Sequence, residues 1–128
     1  MVLGQKRTYA LPPRQVSIST AGRGSVVAAH THVADSSSTR RRGLLGCAGL
    51  AAGEGLWIIP CYSVHTIGMR FAIDVVYLSR DRRVLKIRAN MAARGISACF
   101  HAHSVLELPA GAAELSGLRC GDVLEVAE

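Results

Sequence analysis

The sequence predicts a mainly β fold: a single-domain sandwich or barrel, jelly-roll-like, built from short antiparallel strands with one or two short helices. Three observations predict this class. Short apolar segments carry the two-residue alternation of strands, glycine and proline separate them, and no segment has the long strand–helix alternation of a parallel α/β fold. Many short strands are best buried by packing two sheets or by closing one.

The chain of 128 residues has the length of one domain, and its 49% of hydrophobic residues suffice for a core. Residues 1–13, which end at Pro12 and Pro13, are predicted to form a flexible N-terminal tail. Residues 14–128 are predicted to form the single β domain, because no repeat or long linker interrupts them.

The first half of the domain is predicted to hold a hairpin, a short helix and a strand. The segments "QVSIST" and "SVVAAHTHVA" are strand-like, and the glycines of "AGRG" between them favour a hairpin turn. In "DSSSTRRRGLLG", Asp35 or a serine at 36–38 can cap a short helix that Gly43 or Gly46 ends. The stretch "LAAGEGLWIIP" predicts a glycine loop and a short buried strand that stops at Pro60.

The clearest predicted element is a β-hairpin over residues 69–90. Alternate residues are apolar up to Tyr77, and the alternation resumes from Leu85 after "SRDRR". These apolar residues are all odd-numbered. Directly paired residues lie on the same face of a sheet, so a single buried face requires each odd-numbered residue to pair with another odd-numbered residue, and the two numbers then have an even sum. The sequence therefore predicts an odd-length loop or a bulge, and one such pairing places Asp74 opposite Arg88.

The C-terminal part is predicted to add two more strands. "ACFHAHSVLEL" is strand-like, "PAGAAELSG" predicts a turn with one helical turn, and "LRCGDVLEVA" predicts a last short strand.

Four segments resemble one family in the same order. The segments "RRRGLLG", "GEGLWIIPCYSVHTIGMRFAIDVVYLSRDRRV", "VLELPAG" and "GDVLEV" are similar to the domain-of-unknown-function 192 family, over residues 14–128. The resemblance implies a small, mostly β single domain of sandwich or jelly-roll type, and it implies no particular activity. Cys61 and His65 match one branch of the family. The general family pattern falls on Gly43, Leu44, Gly55, Met69, Asp74, Glu107, Leu108, Pro109, Ala110, Gly111, Gly121 and Asp122.

The basic charge balance does not by itself define a partner. The formal net charge is +6, and the densest charge is the run from Arg40 to Arg42; such a balance attracts polyanions at long range. A nucleic-acid binder would also need aromatic platforms or a groove-reading helix, and the sequence has no evident example of either. We therefore interpret this run as a solvated helix face, with weak RNA or anionic-surface binding as the alternative.

The sequence predicts a cytoplasmic protein without a membrane segment. "MVLGQKRTYALPPRQ" lacks the apolar region of a secretory signal, and no apolar run approaches the roughly 20 residues that cross a bilayer. The cysteines form no CxxC pair, so we expect reduced, mostly buried thiols at Cys47, Cys61, Cys99 and Cys120.

The segment "CYSVHTIGM" supplies the leading candidate for a ligand site. Cys61 and His65 can activate a thiol or bind a metal only if the chain bends between them, because four extended residues span roughly 13 Å. The alternative is a buried thiol and a histidine that bonds to a backbone carbonyl. Met69 and Glu107 complete the predicted ligand-binding set, with Met69 as core filler the alternative. Glu107, flanked by leucines, is a better candidate than Asp74 for a buried functional acid, and the alternative is that it accepts backbone N–H groups of the Pro109–Gly111 turn.

Two H-x-H patterns raise a metal site as an alternative that we do not favour. His101, His103 and Glu107 are predicted on one strand face, with a spacing that resembles the first metal motif of cupins. No histidine follows His103 to complete such a site, so we predict no metal and no cofactor. His30 and His32 would join this group only if their strand lay beside it.

Asp74 lies inside the apolar segment "FAIDVVYL". We predict that it forms a structural ion pair with Arg70 or Arg88, and the alternative is a general base with a raised pKa.

The predicted function is that of a non-catalytic binding or structural module, whose unknown partner is a small ligand or a protein. A metal- or thiol-dependent enzyme that uses Cys61 and His65, or His101, His103 and Glu107, is the first alternative. An RNA or anionic-surface binder is the second, and the sequence does not define the oligomeric state.

Overall fold

The structure, a computed structural model, describes residues 11–128. Over that range it contains nine strands and two short helices, so the predicted mainly β class is confirmed. Of the predicted tail, residues 1–10 lie outside the described residues, whereas Leu11 and Pro12 are buried. The elements are β1 (Gln15–Thr20), β2 (Val26–Ala34), α1 (Ser37–Arg42), β3 (Glu54–Ile58), β4 (Ser63–His65), β5 (Ile73–Leu78), β6 (Val84–Met91), β7 (Ile96–Ala98), β8 (Ser104–Pro109), α2 (Ala112–Leu115) and β9 (Leu124–Ala127).

Within residues 11–128, seven strands form one sheet in the order β6–β5–β8–β3–β2–β1–β9, and β4 pairs with β7 in a small separate sheet. The large sheet curls into a half-barrel, because its two edge strands approach each other at one end. There Arg83 forms a bridge with Val123, and the Val84 N–H donates to the Asp122 carbonyl oxygen at 2.8 Å. The curl gives the sheet a concave face that a small number of side chains can fill.

One strand pairing departs from the antiparallel prediction. β2 and β3 are parallel, with His32 opposite Leu56, whereas the other pairings of named strands in the described range are antiparallel. Parallel neighbours need a long crossover connection, and the segment between Ala34 and Glu54, which contains α1, supplies it. The arginines of α1 are therefore part of this crossover.

Local hydrogen bonds fix both ends of α1, as its sequence predicts. Ser36 is the N-cap: its hydroxyl accepts the Thr39 N–H at 3.2 Å, and the Thr39 hydroxyl accepts the Ser36 N–H at 3.1 Å. Gly43 ends the helix with a φ of 53°, a conformation that glycine adopts readily. The basic run falls in the last turn, where positive charge suits the helix dipole.

The predicted hairpin is confirmed for β5 and β6, although residues 69–72 precede the first strand. The ladder is irregular, as the predicted bulge requires, but the predicted register is wrong in its middle. Val75 lies opposite Arg88 and Val76 opposite Ile87, so paired numbers have odd sums in the middle of the ladder, and two register shifts flank this part. The prediction assumed one buried face. β5 lies between β6 and β8 and is buried at all six positions, so no single apolar face has to be matched across the pair.

Two apolar layers cover the central strands, one on each face of the large sheet. The first layer contains Trp57 and Leu106 and packs against α2 through Ala113. The second contains Leu56 and Val105, and it is covered by β4 and by the turn after α1. Successive strand residues face opposite sides, so Glu107 shares the second face with Val105. Over the described range, no helix has the length and apolar character that crossing a membrane requires.

Candidate functional site

A pocket of about 80 Å³ lies where α1 and its following turn meet β4 and the second face of the large sheet. The four residues of the predicted ligand-binding set, Cys61, His65, Met69 and Glu107, all line it. They come from β8 and from the segment through β4, and the fold brings them together. We call this space the Glu107 pocket.

Glu107 provides the most unusual group in this pocket. Glu107 is only 3% exposed, and its Oε1 has no hydrogen-bond partner within residues 11–128. Burial raises the pKa of the Glu107 carboxyl from its usual 4.5 to about 8, because the charged form loses its hydration. The carboxyl is therefore mostly protonated at neutral pH and can donate a hydrogen bond.

Cys61 lies beside Glu107 at the pocket wall. Its Sγ donates to the Ser63 carbonyl oxygen at 3.2 Å, and its N–H donates to the His103 carbonyl oxygen at 3.0 Å. Burial raises the pKa of the Cys61 thiol, and the negative charge of Glu107 raises it further. The hydrogen bond to Ser63 and the positive charge of Arg40 lower it, but the net change is a rise. A thiol in this setting stays protonated at neutral pH, which does not suit a nucleophile.

His65 and Met69 line the pocket from β4 and from the turn that follows it. His65 is exposed and lies opposite Ile96 of β7. The intervening turn is held by Thr66, whose hydroxyl donates to the Ala92 carbonyl oxygen at 2.6 Å. Met69 is half-buried against the second layer, so its flexible apolar side chain forms part of the pocket wall.

The arginines of α1 are pocket residues that the predicted ligand-binding set did not include. Arg40, Arg41 and Arg42 all line the Glu107 pocket, whereas the sequence interpretation favoured a solvated helix face and kept RNA or anionic-surface binding as the alternative. Arg40 is half-buried, and its Nε is buried without a hydrogen-bond partner in the described part of the chain. No sequence signal could place α1 and β4 at the same pocket, because their positions depend on the β2–β3 crossover.

A second, open groove of about 350 Å³ adjoins the pocket. It shares Arg40, Arg41 and Cys61 with the pocket and adds Ser37 and Pro60. We call it the Pro60 groove. A ligand whose polar end entered the Glu107 pocket would have room for a larger body in this groove.

Two further polar groups are buried under the same layer. The Tyr77 hydroxyl and the Ser97 Oγ are both enclosed and have no hydrogen-bond partner within residues 11–128. Burial raises the pKa of Tyr77, and Ser97 lies close enough to oppose that rise although the pair lacks hydrogen-bond geometry. Cys61, Cys99 and Glu107 also raise it when they are ionised. Neither Tyr77 nor Ser97 is among the residues that line the Glu107 pocket.

Asp74 has a structural role, and its predicted ion pair with Arg70 or Arg88 is wrong. Its fully buried carboxylate accepts three backbone N–H groups, from Asn90 at 2.8 Å, Gly111 at 3.1 Å and Ala113 at 2.9 Å. It thereby joins β6 to the turn before α2. The register shift moves Arg88 opposite Val75 instead.

The histidine pairs do not assemble. His101 and His103 precede β8 in a turn, so the prediction that they share a strand face with Glu107 is wrong. β3 separates β2 from β8, which keeps His30 and His32 away from them. His32 instead lies 2.8 Å from the Pro12 carbonyl oxygen and 3.3 Å from the Glu54 carboxylate. In residues 11–128, no three metal-ligating side chains are grouped for an ion.

The remaining family positions shape the backbone. A Cβ on Gly55 would lie 3.3 Å from the Glu107 carbonyl oxygen, and Gly111 has a φ of +91°. The Asp122 carboxylate accepts a hydrogen bond from the Arg23 guanidinium at 2.9 Å and another from the Arg119 N–H at 2.9 Å. The Arg23 hydrogen bond lowers the pKa of Asp122 to about 2. Pro109 ends β8, and Gly121 donates its N–H to the Val84 carbonyl oxygen at 2.8 Å.

Fold and site together define a small, mainly β domain with a pocket against one face of a half-barrel sheet. The chain belongs to the DUF192 family, described as Uncharacterized ACR, whose pattern matches residues 17–126. No protein with curated annotation matches the chain significantly.

Two crystal structures share the fold. A protein of unknown function from Novosphingobium aromaticivorans DSM 12444 is 22% identical, with a TM-score of 0.75 over 98% of this chain and 97% of that one. A candidate transcription regulator from Sinorhizobium meliloti 1021 is 22% identical, with a TM-score of 0.79 over 92% of this chain and 97% of that one. At this identity, the likeness concerns the fold alone.

Proposed function

We propose that this protein is a non-catalytic module that binds the polar end of a small ligand in the Glu107 pocket. The observation that carries the proposal is the Glu107 carboxyl, which is 3% exposed and leaves its Oε1 without a partner in residues 11–128. An unmatched buried polar group costs about 1–3 kcal/mol, so its retention calls for an explanation. A ligand group that meets Glu107 supplies one.

The dimensions of the site support a small ligand. The Glu107 pocket has a volume of about 80 Å³, whereas pockets for drug-sized molecules occupy about 300–1,000 Å³. The pocket therefore suits one polar group of a few heavy atoms. The Pro60 groove of about 350 Å³ offers room for the rest of the molecule.

The state of Cys61 supports binding rather than thiol catalysis. Catalytic cysteines have a lowered pKa, whereas burial raises the pKa of this thiol. Alkylation by iodoacetamide at pH 7, with the modified residue identified by mass spectrometry, tests this point. We expect Cys61 to react more slowly than free cysteine, and faster reaction would favour the thiol-dependent enzyme.

Elemental analysis tests the metal-dependent alternative. We expect the purified protein to contain no stoichiometric metal. A stoichiometric metal in the wild type that was lost in the His101→Ala and His103→Ala variants would contradict the non-catalytic proposal.

We also propose the cytoplasm as the location, supported by the four cysteines of the described range, which are all free.

Ligand-observed and protein-observed NMR with a fragment library tests the binding proposal directly. The library should contain neutral, cationic and anionic fragments, and the protein should be the full chain. We expect saturable shifts of backbone amides that line the pocket, and their loss in the Glu107→Leu variant. Glu125→Leu is the matched control, because Glu125 is exposed on β9. The absence of any fragment that shifts pocket amides saturably would refute the proposal.

A further inference from the structure

We infer that the ligand group taken by the Glu107 pocket is an oxyanion, of carboxylate or phosphate type, held between the Arg40 guanidinium and the Glu107 carboxyl. The inference rests on the proposed function and names its ligand class. It depends on three properties of the pocket: its charge, its two unmatched polar groups and its size.

The charge of the pocket lining is positive. Three arginines and His65 line it, and Glu107 is the acidic residue among the lining residues of the described chain. Glu107 is largely neutral at pH 7 because burial raises its pKa to about 8. Among the described residues, a cation would meet the guanidinium groups of Arg40 and Arg41 and a largely neutral carboxyl, so the lining selects against it.

Arg40 and Glu107 do not satisfy each other. Oε1 of Glu107 and Nε of Arg40 are both buried without partners in residues 11–128. Within residues 11–128, no salt bridge joins the two side chains. Arg40 does lower the pKa of the neighbouring Cys61 thiol, which places its charge at the pocket wall.

An oxyanion would satisfy both groups at once. One oxygen can accept from the guanidinium, whose planar donors match carboxylate and phosphate geometry. A second oxygen can accept from the protonated Glu107 carboxyl. Both hydrogen bonds are charge-assisted, which makes them about twice as strong as neutral ones. A neutral amide of the same shape would leave the guanidinium charge without a counter-charge.

The pocket volume limits what can enter. About 80 Å³ of space compares with about 30 Å³ for each molecule of liquid water. One carboxylate or phosphate-type group fits, and the remainder of a larger ligand would extend into the Pro60 groove past Ser37.

The experiment compares acetate with acetamide, which have the same shape and differ in charge, and adds inorganic phosphate as a third probe. Backbone amide shifts of residues 40–44 and 61–69 are followed in the full-length protein. We expect saturable binding of acetate or phosphate and at least tenfold weaker binding of acetamide. Equal binding of acetamide and acetate would overturn the oxyanion inference but leave the small-ligand module intact.

Two variants locate the anion. Arg40→Gln should weaken binding at least tenfold, whereas Arg88→Gln, the same charge change on exposed β6, should change it less than twofold. Equal effects of the two variants would show that only general charge matters, and would overturn the assignment to this pocket. The fragment library separates the proposals: neutral fragments that shift pocket amides while acetate and phosphate do not would refute this inference alone.

The pH dependence isolates Glu107. From pH 7 to pH 9, acetate binding should fall about tenfold, since ionised Glu107 repels the anion and its usual pKa is raised to about 8. Cys61, His65, Tyr77 and the arginines of α1 also face this group, so the control is Glu107→Gln, which keeps a donor at every pH. A fall of the same size in Glu107→Gln would overturn the role of Glu107.

Discussion

Glu107→Gln tests the central physical claim about the site, which is that a carboxyl is buried there without a compensating partner. The substitution keeps the size of the side chain and a hydrogen-bond donor but removes the ionisable proton. We expect the variant to be more stable than the wild type at neutral and alkaline pH. The advantage should grow as the pH rises, because only the wild type must keep a carboxyl protonated inside the fold.

The magnitude follows from the two pKa values. Burial raises the pKa of Glu107 from 4.5 to about 8, and a tenfold change in an equilibrium corresponds to about 1.36 kcal/mol. Below pH 4.5 the group is protonated in both states and its ionisation costs nothing. At higher pH the unfolded state loses this proton first, which lowers the free energy of unfolding by an amount that levels off at about 5 kcal/mol above pH 8. Between pH 5 and pH 8.5 the free energy of unfolding of the wild type should fall by about 4 kcal/mol relative to that of Glu107→Gln.

Urea denaturation followed by circular dichroism, at intervals from pH 5 to pH 8.5, measures this difference. Comparing two proteins at each pH cancels the titration of all other groups. Glu125→Gln is the matched control, because an exposed carboxylate is hydrated alike in folded and unfolded chains. If the free-energy difference between wild type and Glu107→Gln did not change with pH, the carboxyl would be hydrated in the native state. The pocket argument would then fail.

Three other predictions concern the frame around the site. Asp74→Ala leaves three backbone N–H groups without their acceptor and should lower the free energy of unfolding by about 3–5 kcal/mol; a loss below 1 kcal/mol in urea denaturation would contradict this role. Gly55→Ala brings a methyl group to 3.3 Å from the backbone of β8 and should lower stability by about 1–3 kcal/mol, whereas Gly49→Ala, with open space around it, should change it by less than about 0.5 kcal/mol. Because the Arg23 hydrogen bond, followed by the Arg119 N–H, lowers the pKa of Asp122 from 3.8 to about 2, the stabilisation from these contacts is present above pH 3.8 and lost as the pH falls through 2. In carbon-detected NMR titration, Arg23→Gln should return the Asp122 midpoint toward 3.8, and an unchanged midpoint would contradict the assigned cause.

Local rules account for most of the secondary structure that the sequence predicted. Ser36 and Gly43 bound α1 because capping depends on side chains within a few residues. The "AGRG" hairpin and the final strand depend in the same way on turn residues beside short alternating segments. The predicted ligand set of Cys61, His65, Met69 and Glu107 also lines one pocket, although sequence order alone gave no reason for these side chains to meet.

The tertiary structure decided what depends on long-range pairing. The one-face prediction for β5 failed because a strand inside a seven-stranded sheet with both faces covered needs no polar side. That error also misplaced Asp74, whose true partners are backbone groups far along the chain. The partial burial of Arg40 was hidden for the same reason, because a helical arginine is solvated or enclosed according to what packs against the helix. The sequence by itself determined the β class, the helix caps and the candidate residues, since these follow from near neighbours. Register, the parallel crossover and the position of α1 over Glu107 required the folded chain, since they follow from which distant surfaces bury one another.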